Sequence, residues 1–197
     1  MLTKIAFTFL LFLIASLSGG CAFVDQRIDL PYAQLVSGCN GKGVIEIEKP
    51  QVSLLQKDGL TIVGYVRNGF MMHTADVLAT NDVGDWVVLA LSKELKAAGY
   101  QVRTVSALSG SNVGVRINIK KVFADMVYSG INAQVNYVLT LSKDRRVIRG
   151  IRAGGRGSFM TYSSMAESYA RALEIALQDS MKELIPRIVT TIQEGLK

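Results

Sequence analysis

Alternation of apolar and polar residues is the clearest pattern in the chain, and it predicts an antiparallel sheet. Residues 113–119 and 131–141 place apolar side chains on one side and mostly polar side chains on the other. A period of two with one apolar side is typical of strands that pack one face and expose the other. A third strand is predicted over residues 147–159, where glycines indicate a bulge or a bend. We therefore expect three long strands in a meander between residues 112 and 159.

Shorter strands are predicted in the first half of the chain. Residues 44–48 alternate isoleucines with acids, and residues 60–68 are rich in β-branched residues after the turn-forming pair Asp58-Gly59. We expect these two segments to form a hairpin. A further short strand is predicted over residues 100–106.

Two segments carry apolar residues at helical spacing. In residues 83–98 the apolar positions recur every three or four residues, Asn81 or Asp82 offers an N-cap, and Gly99 offers a left-handed stop. In residues 164–185 a continuous apolar stripe predicts a second helix.

The second helix has a start and a stop in the sequence. Ser164 and Glu167 form a capping box, and Pro186 is expected to kink or end the helix. Each helix has one apolar stripe and the sheet has one apolar face to receive it. We predict an α+β fold: a two-layer domain with a mainly antiparallel sheet of about five to six strands packed against two helices, about 83–98 and 164–185. Residues 44–197 are expected to form this single domain.

The beginning of the chain has the pattern of an export signal. Lys4 precedes an uncharged, mainly apolar run from Ile5 to Leu17, which is too short to cross a bilayer as a permanent helix. Small residues at 18–20 directly precede Cys21. Residues 1–20 are therefore predicted to be a lipoprotein signal peptide, and residues 21–43 a lipidated N-terminus with a tether or irregular arm.

The stretch LSGGCAF, residues 17–23, resembles a bacterial lipobox. The resemblance implies a diacylglycerol on the Cys21 thiol, cleavage between Gly20 and Cys21, and acylation of the new amine. Ser18 departs from the pattern, because lipoboxes prefer a branched aliphatic residue there. A plain secreted protein and an uncleaved anchor are the alternatives. Several acyl chains on one cysteine form a strong anchor, since each buried methylene adds roughly 0.8 kcal/mol.

Charge bears on the partners of an exported chain. There are 22 lysines and arginines against 16 acids, and removal of residues 1–20 takes away Lys4 and no acid, so the net charge falls from +6 to +5. This mild excess favours an anionic envelope component over nucleic acid as a partner, and solubility is the plainer explanation. The run RRVIRGIRAGGRG is the most basic stretch, and a solvated strand face is its alternative interpretation. Its candidate ligand-binding residues are Arg145, Arg146, Arg149, Arg152 and Arg156.

Patterns for catalysis and metal binding are missing from the sequence. The single histidine, His73, lies near Asp76 and Asp82 in a predicted loop, which satisfies neither a zinc site nor a nucleophile with its base. We expect no enzymatic activity, no catalytic residue, no metal and no cofactor. With Cys21 acylated, Cys39 has no partner for a disulfide within the chain.

The order of features resembles the YajG-like family of small Gram-negative lipoproteins. The resemblance covers about residues 44–185 and rests on the helix ending AGY at 98–100, the FAD turn at 123–125, and GSF with a small-residue helix at 157–172. It implies an outer-membrane lipoprotein of uncharacterised molecular role, whose one transferable functional residue is the lipid-bearing Cys21. The longer arm before the first strand departs from the family pattern.

Together these features predict a non-enzymatic lipoprotein of the bacterial outer membrane, with its domain facing the periplasm. Ala22 follows Cys21 where an aspartate would favour inner-membrane retention. The first functional hypothesis is a protein-interaction module that uses a sheet edge or residues 70–73. The alternative is a binding module for an anionic envelope ligand through Arg145 to Arg156. Membrane lipid is the expected partner of Cys21, an envelope protein is a further expected partner, and nucleic acid is not expected.

Overall fold

The structure is a computed structural model that describes residues 23–35, 41–50, 52–128, 130–161 and 165–195. In these ranges the chain forms nine strands and two α-helices. The strands are β1 (Gln26–Ile28), β2 (Val44–Glu48), β3 (Gln56–Lys57), β4 (Leu60–Arg67), β5 (His73–Ala79), β6 (Gln101–Val105), β7 (Val113–Val127), β8 (Gly130–Lys143) and β9 (Arg146–Met160). The helices are α1 (Val83–Ala97) and α2 (Ala166–Gly195).

The long strand β7 is the centre of one mixed sheet. Along one side it pairs antiparallel with β8, and β8 pairs antiparallel with β9, which confirms the predicted meander. Its other side is shared by two parallel partners, β2 near its beginning and β4 near its end. Strand β2 continues to β6, whereas β4 continues to β5 and then β1. The sheet therefore divides into two branches on that side of β7.

The sheet is larger and more mixed than the sequence predicts. Strands β1 and β3 have only three and two residues, too few for a periodic pattern, and β5 follows a segment that the sequence assigns to a loop. The predicted hairpin between residues 44–48 and 60–68 is wrong, because β2 pairs with β6 and β7 instead. Both segments run parallel to β7 at different points along it, a pairing that local turn patterns do not reveal.

A β-bulge keeps both halves of β7 packed against the core. From Val113 to Ile119 the odd-numbered residues are buried, as the alternation predicts, whereas Val122 and Ala124 are buried after the register shift between Ile119 and Lys121. One extra residue reverses which positions face each side of a strand. The bulge therefore places the odd-numbered residues from Lys121 onward on the outer face of the sheet.

Both helices lie on the same face of the sheet, which gives the predicted two layers. Helix α2 packs across β9, β8 and β7, whereas α1 packs beside β6 and touches α2. The largest fully buried side chains include Trp86, Tyr137 and Tyr169, contributed by α1, β8 and α2 respectively. The face without helices is called the outer face below.

Helix α1 begins and ends close to the predicted residues. The Asp82 carboxylate accepts a hydrogen bond from the Asp85 amide at 2.8 Å, so Asp82 is the N-cap. Gly99 follows the helix with a φ of +97°, the left-handed conformation that glycine adopts most easily.

Helix α2 extends to Gly195 instead of ending at 185. Pro186 lies inside it and is exposed, whereas Ile188, Val189 and Ile192 beyond it are buried. Proline removes one backbone hydrogen bond and disfavours a helix interior, and burial of the final turns offsets that cost. Ser164 of the predicted capping box lies outside the described residues.

The backbone of α2 lies directly against two glycines of β9. A Cβ added at Gly155 would overlap the carbonyl oxygen of Ala176, and one added at Gly157 would overlap the carbonyl oxygen of Ala172. These glycines therefore permit a close approach of helix to strand. The register shift in β9 that the glycines suggested lies elsewhere, opposite Leu141 and Ser142.

Part of the segment predicted as a tether packs against the domain. Strand β1 pairs parallel with β5, and Ile28, Leu30 and Tyr32 are buried. The N–H of the Trp86 indole donates to the Pro31 carbonyl at 2.8 Å. The arm between β1 and residue 35 is therefore bound to the helical layer.

A buried carboxylate fixes this arm to α1. Oε1 of Glu94, which is 1% exposed, accepts hydrogen bonds from the Tyr32 hydroxyl and the Leu35 amide, each at 2.7 Å. Burial, followed by the hydrogen bond to Glu94, raises the pKa of the Tyr32 phenol above its usual range. From α2, Oε1 of Glu174 accepts from the Ala33 amide at 2.7 Å.

Candidate functional site

The predicted lipidation site lies outside the described residues, as does Cys39. Within the described ranges, no helix is long and apolar enough to span a membrane. No group of three or more His, Cys, Asp or Glu side chains in that part of the chain is arranged to hold a metal ion. His73 begins β5, and its Nε2 atom lies 3.0 Å from Oδ1 of Asp76.

The five predicted arginines do not form one surface. Residues that pair directly across an antiparallel sheet point to the same side. Arg152 pairs with the half-buried Val138, and Arg156 pairs with Gln134, so both lie on the outer face. Arg149 pairs with the buried Leu141 and therefore lies on the side that carries the helices.

The remaining two arginines belong to the turn between β8 and β9. Asp144 and Arg145 form a two-residue turn with φ values of 51° and 60°, and Arg146 pairs with Lys143 beside it. Positive φ at both central residues is typical of the hairpin turn that matches strand twist. Arg145 and Arg146 are thus at the far end of β9 from Arg156.

Arg156 instead lines a groove on the outer face that other strands complete. The groove has a volume of about 660 Å³ and crosses β7, β8 and β9. Its Gln134 pairs with Arg156 and accepts a hydrogen bond from Nζ of Lys121 at 3.0 Å. The same Nζ atom lies 5.9 Å from the ring centroid of Phe123. This groove, lined by Lys121, Phe123, Asp125, Asn132, Gln134, Arg156 and Ser158 among others, is called the outer-face groove.

The outer-face groove carries a positive charge. Its one carboxylate, Asp125, is held by Arg67 through two hydrogen bonds of 2.6 Å, and these raise the pKa of Arg67 further. Among the described residues, Lys121 and Arg156 form no ion pair. Lys121, beside the Phe123 ring, and Arg156 therefore line the groove as two cations that no ion pair among the described residues neutralises.

Aromatic side chains connect the groove to the helical layer. The Tyr65 ring centroid lies 4.1 Å from that of His73 and 4.8 Å from that of Phe123, the latter edge to face. The Tyr169 hydroxyl of α2 donates to the Tyr65 carbonyl at 2.9 Å. Burial raises the pKa of Tyr169 to about 12. The Phe123 ring is therefore packed against Tyr65, whose backbone is in turn bonded to α2.

The edge of β9 is partly occupied by side chains of α2. The Arg156 amide donates to Oδ2 of Asp179, and Nη1 of Arg187 donates to the Arg152 carbonyl, each at 3.1 Å. These contacts use backbone groups that an added strand would need. β9, the longest edge strand, therefore has fewer free backbone groups for pairing with an added strand. This weakens the hypothesis that a partner binds at this sheet edge.

The loop near His73, the other predicted contact region, projects apolar side chains. Oδ1 of Asn68 accepts from the amides of Phe70 and Met72 at 3.0 and 3.1 Å, and Nη1 of Arg67 donates to the Met71 carbonyl at 2.8 Å. These bonds order the loop, while Phe70 and Met72 remain exposed.

Sequence reasoning missed Lys121, Phe123 and Gln134 as site residues. The alternation in β8 already placed Gln134 on the polar side. Lys121 and Phe123 reach that side only because of the bulge in β7. The two consecutive lysines at 120 and 121 are the one sign of this bulge in the sequence.

No protein-family model matches the chain, and no curated protein matches it significantly. Among solved structures, a protein of Xanthomonas campestris from the family of unknown function DUF330 is similar, with a TM-score of 0.61 and 15% identity over 87% of this chain and 97% of that one. A homologue of neuraminyllactose-binding hemagglutinin from Helicobacter pylori has a TM-score of 0.42 and 12% identity, over 84% of this chain and 95% of that one. At these identities the first similarity shows a shared fold, that of an uncharacterised DUF330 protein.

Proposed function

We propose that this protein is a non-enzymatic lipoprotein of the outer membrane of a Gram-negative bacterium. Acylated Cys21 anchors it, and its α+β domain faces the periplasm as a protein-interaction module. The observation that carries the anchor is the stretch LSGGCAF directly after an apolar run of signal-peptide size. The resemblance to the YajG-like family supports the same assignment. Cys21 precedes Phe23, the first residue that the structure describes, by two residues in the sequence.

Replacing Cys21 with serine tests the anchor. The variant lacks the thiol that receives the diacylglycerol, so we expect it to keep residues 1–20. The amount of protein in the outer-membrane fraction should fall about tenfold or more, because no acyl chains anchor it. Intact mass and sucrose-gradient fractionation measure both effects. Cys39→Ser is the matched control and should be processed and anchored normally. A Cys21→Ser protein of normal mature mass in the outer membrane would contradict the proposal.

We assign partner binding to the outer-face groove. Arginine and aromatic residues commonly dominate protein interfaces, and here Arg156 and Phe123 share one open surface with Lys121. The groove is wide and lies on a rigid sheet, which suits a protein surface. A partner with an acidic side chain for the two cations and an apolar side chain for Phe123 would complement it.

Site-specific photocrosslinking in intact cells tests the groove. A photoreactive residue at Gln134 or Ser158 should capture a defined partner, because both positions line the groove. The same residue at Lys182 or Glu183, which are exposed on α2, is the control and should capture little. Equal capture at all four positions would remove the groove from the interface.

Binding of an anionic envelope ligand is the second candidate. The observation that favours it is the pair of cations without an ion-pair partner among the described residues, Lys121 and Arg156, with Arg152 further along the same face of β9. Charge-dependent binding weakens as ionic strength rises, whereas an apolar protein contact does not. Binding that is lost steeply with salt and in Arg156→Ala would favour this second candidate.

A further inference from the structure

Exposed apolar side chains gather at one end of the domain. Of the twelve large apolar side chains exposed in the described residues, nine lie at this end, and Leu55, Leu89 and Val147 lie elsewhere. Seven of the nine are between 57% and 86% exposed. We call the surface formed by these seven the apolar end: Phe23, Val24, Phe70, Met72, Tyr128, Met160 and Met165.

Strand pairing places these residues together although they are far apart in sequence. Tyr65 of β4 pairs in parallel with Asp125 of β7, so the loop after β4 and the turn after β7 emerge at the same end of the strands. Met160, at the end of β9, pairs with Gly130, which follows that same turn. Strands β4, β7, β8 and β9 therefore end or turn side by side.

The beginning of the described chain is at this end as well. Strand β1 runs parallel to β5, whose first residue, His73, follows the apolar loop. Phe23 and Val24 line a cavity with His73 and Thr74. Cys21, the proposed lipid attachment point, precedes Phe23 by only two residues in the sequence. So short a connection ties the proposed anchor to the apolar end.

Most of the segments that form the apolar end carry no charged residue. Residues 68–72, 127–128, 159–161 and 165–166 contain no Asp, Glu, Lys or Arg, whereas Phe23 is followed by Asp25, which forms an ion pair with Lys57. At the opposite end of β8 and β9, residues 143–146 are all charged. The domain thus has one apolar end and one charged end along its strands.

Two apolar residues at this end occupy backbone conformations that favour glycine or asparagine. Tyr128 has a φ of 53° and Met71 a φ of 62°. Left-handed backbone is unfavourable for residues with a Cβ, so these turns hold large apolar side chains at a conformational cost. A tyrosine at a charge-free tip is typical of the interface between lipid headgroups and acyl chains.

We propose that the apolar end rests on the bilayer that holds the acyl chains of Cys21. This inference depends on the proposed lipid anchor and adds an orientation to it: the strands rise from the membrane surface and the charged turn at residues 143–146 points away. The apolar loops lie in the interface, as amphipathic surface segments do. Ser158 of the outer-face groove is two residues from Met160, so the groove opens close to the lipid surface.

Quenching of tryptophan by brominated lipid measures this orientation. The protein contains one tryptophan, Trp86, which is 2% exposed and gives a constant background. Phe70→Trp and Tyr128→Trp place a reporter at the apolar end, and Val147→Trp places one on an exposed apolar position near the charged end. Each mature acylated protein is reconstituted in phosphatidylethanolamine and phosphatidylglycerol vesicles, with or without dibrominated phosphatidylcholine.

We expect the added emission of Phe70→Trp and Tyr128→Trp to fall about twofold with brominated lipid, because interfacial side chains reach the acyl region. The emission of Val147→Trp should not change. Equal quenching at both ends, or no quenching at Phe70 and Tyr128, would overturn the inference. Blue-shifted emission without quenching would also overturn it, since it indicates that another protein or a second copy covers the apolar end.

The mass of the mature protein separates failure of this inference from failure of the proposed function. A protein without acyl chains on Cys21 would overturn the lipid anchor and this orientation together. An acylated protein with unquenched Phe70→Trp and Tyr128→Trp would overturn the orientation alone.

Discussion

Replacing Gly155 with alanine is expected to lower the free energy of unfolding by about 3 kcal/mol. The added Cβ would overlap the Ala176 carbonyl oxygen and crowd the Ser180 amide nitrogen, both of which are backbone atoms of α2. Backbone atoms cannot rotate aside as a side chain can, so α2 must move away from β9. That movement loosens the core contacts of the whole helix. Urea unfolding followed by circular dichroism measures the change.

Gly150→Ala is the matched control in the same strand. A Cβ at Gly150 meets no atom within 4 Å. Alanine restricts the unfolded chain more than glycine does, so we expect this change to be neutral or stabilising by about 0.5 kcal/mol. Equal destabilisation by both substitutions would mean that the glycines matter for β9 itself and that the close contact with α2 is unimportant.

Replacing Glu94 with alanine is expected to destabilise the domain by a similar amount, about 3 kcal/mol. The Tyr32 hydroxyl and the Leu35 amide both donate to its Oε1 atom, and each would lose its acceptor in a buried or partly buried environment. A buried donor without a partner costs more than the hydrogen bond itself contributed. Urea unfolding measures the total effect, and hydrogen exchange of residues 30–35 measures the local one.

Glu94→Gln is the control that preserves the acceptor. The amide oxygen of glutamine can receive the same two hydrogen bonds, so the expected loss is about 1 kcal/mol and the amides of the arm should stay protected. If Glu94→Ala leaves hydrogen exchange of the arm unchanged, the arm is held by other contacts. Those contacts include the bonds from Trp86 to Pro31 and from Ala33 to Glu174.

The arm bears on the orientation proposed for the domain because it directs the start of the described chain. It is continuous with β1, and β1 leads back to Phe23 and the apolar end. A loosened arm would let the domain move more freely relative to Cys21. We therefore expect Glu94→Ala to weaken the orientation proposed for the domain on the bilayer, without loss of acylation.

Several elements of the fold follow from local sequence. Helix α1 has its cap, its stripe and its left-handed stop within one continuous segment. The meander from β7 to β9 has a long period-two pattern with short connections, so neighbouring strands in sequence are neighbours in space. The α+β class follows from these elements, because two striped helices and a one-sided sheet can bury each other.

The errors in the predicted fold have a common cause in nonlocal pairing. Strands β2 and β4 join β7 in parallel, and their partners are decided by packing across long connections. Helix α2 passes Pro186 because the residues beyond it find a buried site on the sheet. Neither a propensity nor a turn pattern contains that information.

The candidate site shows the same division. The basic run from Arg145 to Arg156 is contiguous in sequence, yet the register of β9 separates it among a turn, the helix-bearing side and the outer face. The outer-face groove instead combines Arg156 with Lys121 and Phe123, which reach that face through the bulge in β7. Their closeness in sequence therefore predicts that these arginines share one surface, but the register of β9 places them on different ones.

Contiguous residues were sufficient to predict α1 and the meander, because helix capping and strand alternation each depend on a short stretch of chain. The prediction of a lipobox at Cys21 also rests on a short stretch, because a peptidase recognises only a few residues. The outer-face groove and the apolar end required tertiary structure. Their members, from Phe23 to Met165, are brought together by pairing between distant strands and by one bulge. Such surfaces depend on which strands end side by side, and only the packing of the core determines that arrangement.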